Sequence, residues 1–482
     1  MIQEVKQFFS STKQGLLGVV SSDPNSKGST TAAADPTKTY AVALSAGVAA
    51  AIVLAYKLFK NKQQQASDKN STSTPTIATM KDLQELYLKS SNSLSPMTKK
   101  QRIGVLLVNL GTPNDATPNS VYKYLQQFLM DGRVIDAKYW FRYLLVNGLI
   151  VPFRYKNSTK NYQAIWKSND FTDGSASPLK YNTELIVKQL RERMAGQDVD
   201  ADFDLVVEYA MRYQNPSIET GLNKLNHEHH CSHIMILPLF PQYASATVGS
   251  IHEECMRVMS KWLYIPSLHF VNSYPTYAPF IRSVIHRIEE ALQSNAEEIQ
   301  SKHGFDHIIV SYHSLPVHHE IKGYKEREDL DFSYYAQCLQ TTKCVLQQLV
   351  SAPSHLEESK ETPGSYAISE TEFKPELSKY FAQHVTIQTT FQSHLGKLPW
   401  LTPYTTTVLE ELALAKKRVL IVCPSFVTDC IETDHELMIE EREEFHLRGG
   451  ELFVLVQSVN DEATFVEGLY QKIMDYSNVV HK

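Results

Sequence analysis

From residue 102 onward, short wholly apolar runs alternate with stretches of helical period, and this alternation restricts the fold more than any other feature of the chain. Strand-like runs are read at 104–109, 204–209, 234–239, 269–272, 308–310, 387–391, 419–422 and 452–455. Helical stretches lie between them, including 120–130, 216–225, 248–263 and a long amphipathic one from residue 277. Strands alternating with helices at this spacing predict parallel sheets covered on both faces. The pattern divides into two halves, which fits two doubly wound α/β lobes with a cleft between them. No GxGxxG and no GxxxxGK[ST] occurs, so dinucleotide and P-loop readings lack support.

Chemistry belongs at the carboxyl ends of strands in such sheets. Two strand-like runs end in reactive residues. Ile308-Ile309-Val310 runs into Ser311-Tyr312-His313-Ser314-Leu315-Pro316. Val419-Leu420-Ile421-Val422 runs into Cys423-Pro424-Ser425-Phe426-Val427-Thr428-Asp429-Cys430-Ile431-Glu432, with Glu436 and Glu440 beyond. A neutral imidazole accepts a proton near pH 7 and also ligates ferrous iron. A histidine and a row of carboxylates, each at a strand end, point to proton removal coupled to the handling of a divalent cation. On an α-helix, Glu432, Glu436 and Glu440 drift by ~40° per step, because four residues exceed one turn of 3.6. A π-type widening would align them better. A solvated acidic helix is the plain alternative for Glu440, since Glu441, Glu443 and Glu444 follow.

These two segments together resemble the signature of the ferrochelatases, which insert ferrous iron into a porphyrin to make haem. The resemblance runs from about Arg102 to near the C-terminus. It includes Leu106-Leu107-Val108-Asn109-Leu110-Gly111-Thr112-Pro113, Ser177-Pro178-Leu179, Met211-Arg212-Tyr213, Pro238-Leu239-Phe240-Pro241-Gln242-Tyr243 and Phe391-Gln392-Ser393-His394, in family order. It implies two similar chelatase lobes, here 100–276 and 277–482, and a lyase that acts as a metal chelatase. By the same resemblance His313 is the proton acceptor or metal ligand and Glu432 its partner. Glu436 and Glu440 extend a metal or proton path, and Asp429 supports them from behind. Leu110, Tyr162, Ser177 and Trp400 line the macrocycle pocket, Arg154 pairs with a propionate, and Arg212 and Tyr213 occupy further cleft positions. Leu110 stands where relatives that use coproporphyrin carry tyrosine, which favours protoporphyrin IX. Two other readings are a related chelatase for a different tetrapyrrole or metal and a catalytically silent porphyrin or haem carrier; Leu110 with both His313 and Glu432 favours the ferrochelatase.

Composition bounds the rest. Hydrophobic residues at 43% and charged residues at 21% are ordinary for a globular chain of 482 residues. A net charge of −6 gives no reason to expect a nucleic-acid partner. The six cysteines contain no CxxC pair, which argues for a reducing compartment. No cysteine follows Cys430, so no iron–sulfur cluster is expected; Fe2+ enters as substrate and no tightly bound cofactor is called for. Cys430 itself is expected as a small buried residue rather than a ligand. His227, His229, His230, Cys231 and His233 crowd together like a metal tract, although a surface connector is the plainer reading.

Ahead of the lobes, residues 1–39 are expected to be disordered. Residues 40–56 carry no charge, and with Leu58 and Phe59 the segment 40–60 reaches the ~20 residues of a transmembrane helix. A soluble alanine-rich helix is the alternative. Lys57, Lys60 and Lys62 favour a cytosolic or matrix side for the residues beyond the segment. A mitochondrial inner membrane with the catalytic part in the matrix suits the resemblance, yet the N-terminus has few arginines for a transit peptide. Residues 61–99 read as a flexible linker, and 352–385 as a polar insertion within the second lobe. No oligomeric state is legible in the chain, and a homodimer is admitted.

Overall fold

The computed structural model describes residues 79–91, 100–169, 174–195, 203–329, 332–394 and 398–481. Residues 1–98 and 99–482 form two separate units. In the first, the segment expected as a linker contains a helix, Met80–Ser91. Its start is closed reciprocally: the Thr79 amide donates to the Asp82 carboxylate at 2.9 Å, and the Asp82 amide donates to the Thr79 hydroxyl at 3.3 Å. Such a box satisfies amides that would otherwise lack partners. Its T-x-x-D signal sits in a polar tract, where composition alone argues against a helix. The expected membrane helix at 40–60 lies outside the described residues. Among those described, no helix is long and apolar enough to cross a membrane.

The second unit contains β1 (Gln101–Gly111), a hairpin of β2 (Lys167–Asn169) and β3 (Gly174–Ala176), then β4 (Phe203–Tyr213), β5 (His233–Pro238), β6 (Ser267–Phe270), β7 (Phe305–His313), β8 (Ser365–Ser369), β9 (Phe381–Gln392), β10 (Arg418–Val422) and β11 (Leu452–Leu455). The first sheet has the order β4-β1-β5-β6, and every neighbouring pair is parallel. The second has the order β11-β10-β7-β9-β8. It is parallel except at one edge, where β8 runs antiparallel to β9. The α/β class with parallel sheets is therefore as expected. The antiparallel edge is not: 352–385 has the composition of a polar loop, yet Tyr366 and Ile368 are buried in an alternating strand within it.

The middles of β1 and β7 are unbroken apolar runs because helices cover both faces. Val105, Leu106, Leu107 and Val108 of β1 and Ile308, Ile309 and Val310 of β7 are all essentially inaccessible. Each such side chain contributes about 1.5–3 kcal/mol relative to exposure. One hydrophobic cluster contains Leu107 of the first sheet and Ile308 of the second, so the halves share a core. The last helix, Ala463–His481, packs on Ala278–Ser294 of its own half and on Pro178–Ala195 of the other. Asn109, 3% exposed at the tip of β1, ties the halves a second time. Its Nδ2 donates to the Thr183 hydroxyl at 3.1 Å and to the Thr428 hydroxyl at 3.0 Å. This lock brings the carboxyl ends of β1, β5, β7 and β10 to one cleft.

Candidate active site

His313 ends β7, in register with Gln392 of β9. Its backbone is held on both sides: the amide donates to the Ser425 hydroxyl at 3.3 Å, and the carbonyl accepts from Tyr334 Oη at 2.9 Å. The imidazole Nδ1 lies 2.7 Å from the Ser314 carbonyl. A carbonyl only accepts, so Nδ1 carries the hydrogen, and in the neutral ring the lone pair is on Nε2. The Phe426 ring stands edge-on to the imidazole at 6.3 Å.

Below this residue a buried network braces the strand ends. Ser311 Oγ donates to Gln392 Oε1 at 2.5 Å, and the Gln392 amide nitrogen donates to the Glu432 backbone carbonyl at 3.4 Å. The Cys423 thiol reaches the same Gln392 oxygen at 3.8 Å. Asp429 is 5% exposed and clamps the loop after β10. Its carboxylate accepts from the Ser458 amide at 3.0 Å and the Asn460 side chain at 2.7 Å. Cys430 is buried, and its thiol is pushed well above its ordinary range by desolvation and by Glu432 beside it. A neutral buried thiol of this kind is a small packing residue.

Glu432–Glu441 is wound as a π-helix. The widening is there, and it reverses the drift of the glutamates rather than removing it. A four-residue step overshoots an α-turn but falls short of a turn closed i→i+5. Glu432 and Glu436 are half-buried, whereas Glu440 emerges into solvent with its carboxylate 3.6 Å from His435 Nδ1. Desolvation, then the charge of Glu432, raises the Glu436 carboxyl to about 7; Ser393 and Arg154 oppose the rise. Ser393 Oγ donates to Glu436 from a backbone φ of 59°, a left-handed conformation uncommon for serine. Glu441 is likewise raised to about 7, by desolvation and then Glu440.

His313 and Glu432 both face one cleft, which encloses about 830 Å³ counted out to its open mouth. Leu110, Phe128, Phe240, Leu315 and Phe426 make its walls predominantly apolar. Leu110 and Glu432 also line an adjoining pocket of about 310 Å³ together with Tyr124, Tyr162 and Ser177. Gly111 follows Leu110 at φ +109°, and a Cβ there would stand 2.1 Å from the Tyr213 carbonyl oxygen. Only glycine permits that strand tip to approach β4 so closely.

The remaining candidates sit apart from these walls. Arg154 is exposed on Val151–Ile165, within electrostatic reach of Glu436. Trp400 bridges to Pro316 in the turn after His313. Arg212 lines neither pocket: its Nη2 lies 2.6 Å from Asp131, and its Nε donates to the Ser250 hydroxyl at 2.6 Å. Tyr213 Oη donates to the same Asp131 at 2.9 Å, and its ring packs edge-on against Phe128 at 5.5 Å. Sequence reasoning missed Phe128, Phe240, Phe426 and Ser393 as wall or partner residues. Phe240 and Phe426 lie within four residues of the ends of β5 and β10, so position alone could have found them; Phe128 sits in a helix and left no such signal.

The histidine tract does not gather. Gln101 Nε2 lies 2.8 Å from His233 Nδ1, His229 faces Glu208 at 4.0 Å, and the His227 ring stands edge-on to Trp262. All six cysteines are free.

The model of the Ferrochelatase family matches residues 102–476. The Ferrochelatase of Francisella tularensis subsp. tularensis (strain WY96-3418) is 32% identical over 376 residues, covering 78% of this chain and 96% of the relative. That of Francisella tularensis subsp. novicida (strain U112) is 31% identical over the same length and coverage. Among solved structures, SirB from Bacillus subtilis with Fe3+ aligns at a TM-score of 0.41 and 11% identity, over 78% of this chain and 95% of that one, a much looser likeness. By its match over 102–476 and by relatives aligned over nearly their whole length, this chain belongs to the ferrochelatase family.

Proposed function

We propose that the protein inserts ferrous iron into protoporphyrin IX to form protohaem, the terminal step of haem synthesis. Membership of the ferrochelatase family supports metal insertion into a porphyrin. The observation that carries the residue roles is that His313 and Glu432 face one apolar cleft. Insertion requires loss of two pyrrole protons and delivery of a desolvated cation. His313 Nε2, left with its lone pair by the Nδ1 contact to Ser314, takes a pyrrole proton. Glu432 accepts protons from it or holds the incoming ion. Glu436, raised to about 7, exchanges protons with solvent through the row that ends at exposed Glu440. Asp429 holds the loop that carries Glu432. Leu110, Tyr162 and Ser177 serve the macrocycle, Trp400 acts through its bridge to Pro316 in the turn after His313, and Arg154 takes a propionate, for which a guanidinium fork is suited. Arg212 and Tyr213 act through Asp131 and Phe128 rather than by touching substrate. Fe2+ is a substrate in this scheme, and no cofactor stays bound.

Leu110 gives the preference between porphyrins. A propionate pressed against this apolar wall has no partner, and burying an unpaired carboxylate is costly. Steady-state assays of the full chain are expected to give protoporphyrin IX at least about a tenfold advantage in kcat/KM over coproporphyrin III. Equal or reversed values would assign the site to the more carboxylated substrate.

We further assign residues 40–60 to a membrane anchor, placing the catalytic unit on the matrix side of the mitochondrial inner membrane. A membrane-partitioned porphyrin then meets the cleft more often. Deleting everything before Ser95 is expected to shift the protein from the membrane pellet to the supernatant after alkaline extraction. Retention in the pellet would remove the anchor role.

A further inference from the structure

A second group of metal-binding side chains lies beside the cleft. The helix Val317–Arg327 continues from the turn after His313 and carries His318 and His319 in its first turn. Asp136, from the other half of the fold, meets them there. One ligand atom from each of the three lies within 4.8 Å of the others, and no other such group of His, Cys, Asp or Glu occurs among the described residues. Neighbouring residues on a helix ordinarily diverge, yet these two rings stand 4.5 Å apart at 74°. His319 Nδ1 is buried without a hydrogen-bond partner. Such orphaned groups are uncommon, and an ion not present in a structure is one physical reason for them. Lys322 Nζ occupies the Asp136 carboxylate, but its side chain is 61% exposed and free to leave.

We propose that Asp136, His318 and His319 form a site for a divalent late transition ion of the Zn2+, Co2+ or Fe2+ type. Two imidazoles and one carboxylate suit these ions better than Mg2+ or Ca2+, which prefer oxygen throughout. Bonds of about 2.0–2.2 Å put tetrahedral ligand atoms roughly 3.4 Å apart, so atoms now within 4.8 Å of one another close by at most about 1.4 Å and leave a fourth position open. Leu315 lines both the catalytic cleft and the cavity that His319 borders, so the new site shares a wall with the cleft. A bound ion also joins the two halves of the fold. The assignment holds whichever tetrapyrrole is used.

Anaerobic Co2+ titration of the full chain in a His313→Ala background, followed by visible absorption, tests it. The parent is expected to show a site with imidazole ligation. The added pair His318→Gln and His319→Gln weakens Co2+ binding at least tenfold. Lys322→Met tightens it severalfold, because an ammonium no longer competes for Asp136. Affinity that survives the histidine pair, or that falls in Lys322→Met, overturns the proposal. Should the histidine pair fail to fold, the Lys322→Met result decides alone, since a merely structural Lys322–Asp136 pair predicts no tightening.

Discussion

Replacing His313 with alanine is expected to lower kcat for iron insertion by about 10²–10⁴-fold, the usual worth of a positioned general base. Porphyrin affinity should change by no more than about threefold, because the group acts on the reacting protons and not on the bulk of the macrocycle. The fold should survive: the bonds that seat residue 313 to Ser425 and Tyr334 are made by its backbone. Tryptophan or porphyrin fluorescence gives the affinity, and anaerobic turnover gives the rate. Activity within tenfold of the parent would take His313 out of the proton path and leave the carboxylates of the π-helix to carry it.

The second large effect is on stability. Asp306 at the start of β7 and Arg418 at the start of β10 make a bidentate pair, with Nη2 to Oδ1 at 2.6 Å and Nε to Oδ2 at 2.8 Å. The Arg418 amide adds a third bond at 3.1 Å to the same carboxylate. The Arg418 and Asp306 side chains are only 14% and 12% exposed, and despite the cost of burial these bonds hold the Asp306 carboxyl below its usual range. Asp306→Ala leaves the guanidinium without its carboxylate. The cost is about 3 kcal/mol, the low end for breaking a buried pair, because each partner is still slightly wetted. With ~2 cal/mol/K of unfolding entropy per residue, that lowers the melting midpoint of the 99–482 unit by about 4 °C. Adding Arg418→Met should recover much of the loss. An unchanged midpoint in Asp306→Ala would show that the pair does not hold β7 to β10.

The parallel sheets are legible because the middles of β1, β5, β7 and β10 are buried on both faces and therefore read as unbroken apolar runs. Ile308-Ile309-Val310 and Val419-Leu420-Ile421-Val422 sit side by side as neighbouring strands, and the residues that follow them reach one cleft. The edge strand Ser365–Ser369 is not legible. It buries only Tyr366 and Ile368, and its surroundings are polar. The helix Met80–Ser91 hides in a polar tract for a similar reason, its one clear signal being the Thr79–Asp82 box. For the glutamate row, spacing predicts a shared face only if the helix widens. The widening runs through Glu441 and only reverses the drift, so half-buried Glu436 and exposed Glu440 part within it, and the acidic run after Glu440 is the sequence sign of that exposure. The position of Arg212 depends on Asp131, 81 residues away, a contact no local pattern announces.

Asp136, His318 and His319 illustrate the same limit from the other side. Two adjacent histidines on a charged helix carry no spacing of a known metal motif, and their third partner comes from the other half of the fold. The tract His227–His233 has the composition of a metal site and no convergence. Convergence in space, rather than density along the chain, separates the two.

Anaerobic turnover of the full chain with ferrous iron and protoporphyrin IX, following porphyrin fluorescence and the haem spectrum together, addresses the proposed activity most directly. Stoichiometric conversion of porphyrin to haem, lost in His313→Ala, is the predicted result. Porphyrin bound in the cleft with no haem formed, and with coproporphyrin and zinc also failing, would contradict it and make the protein a carrier.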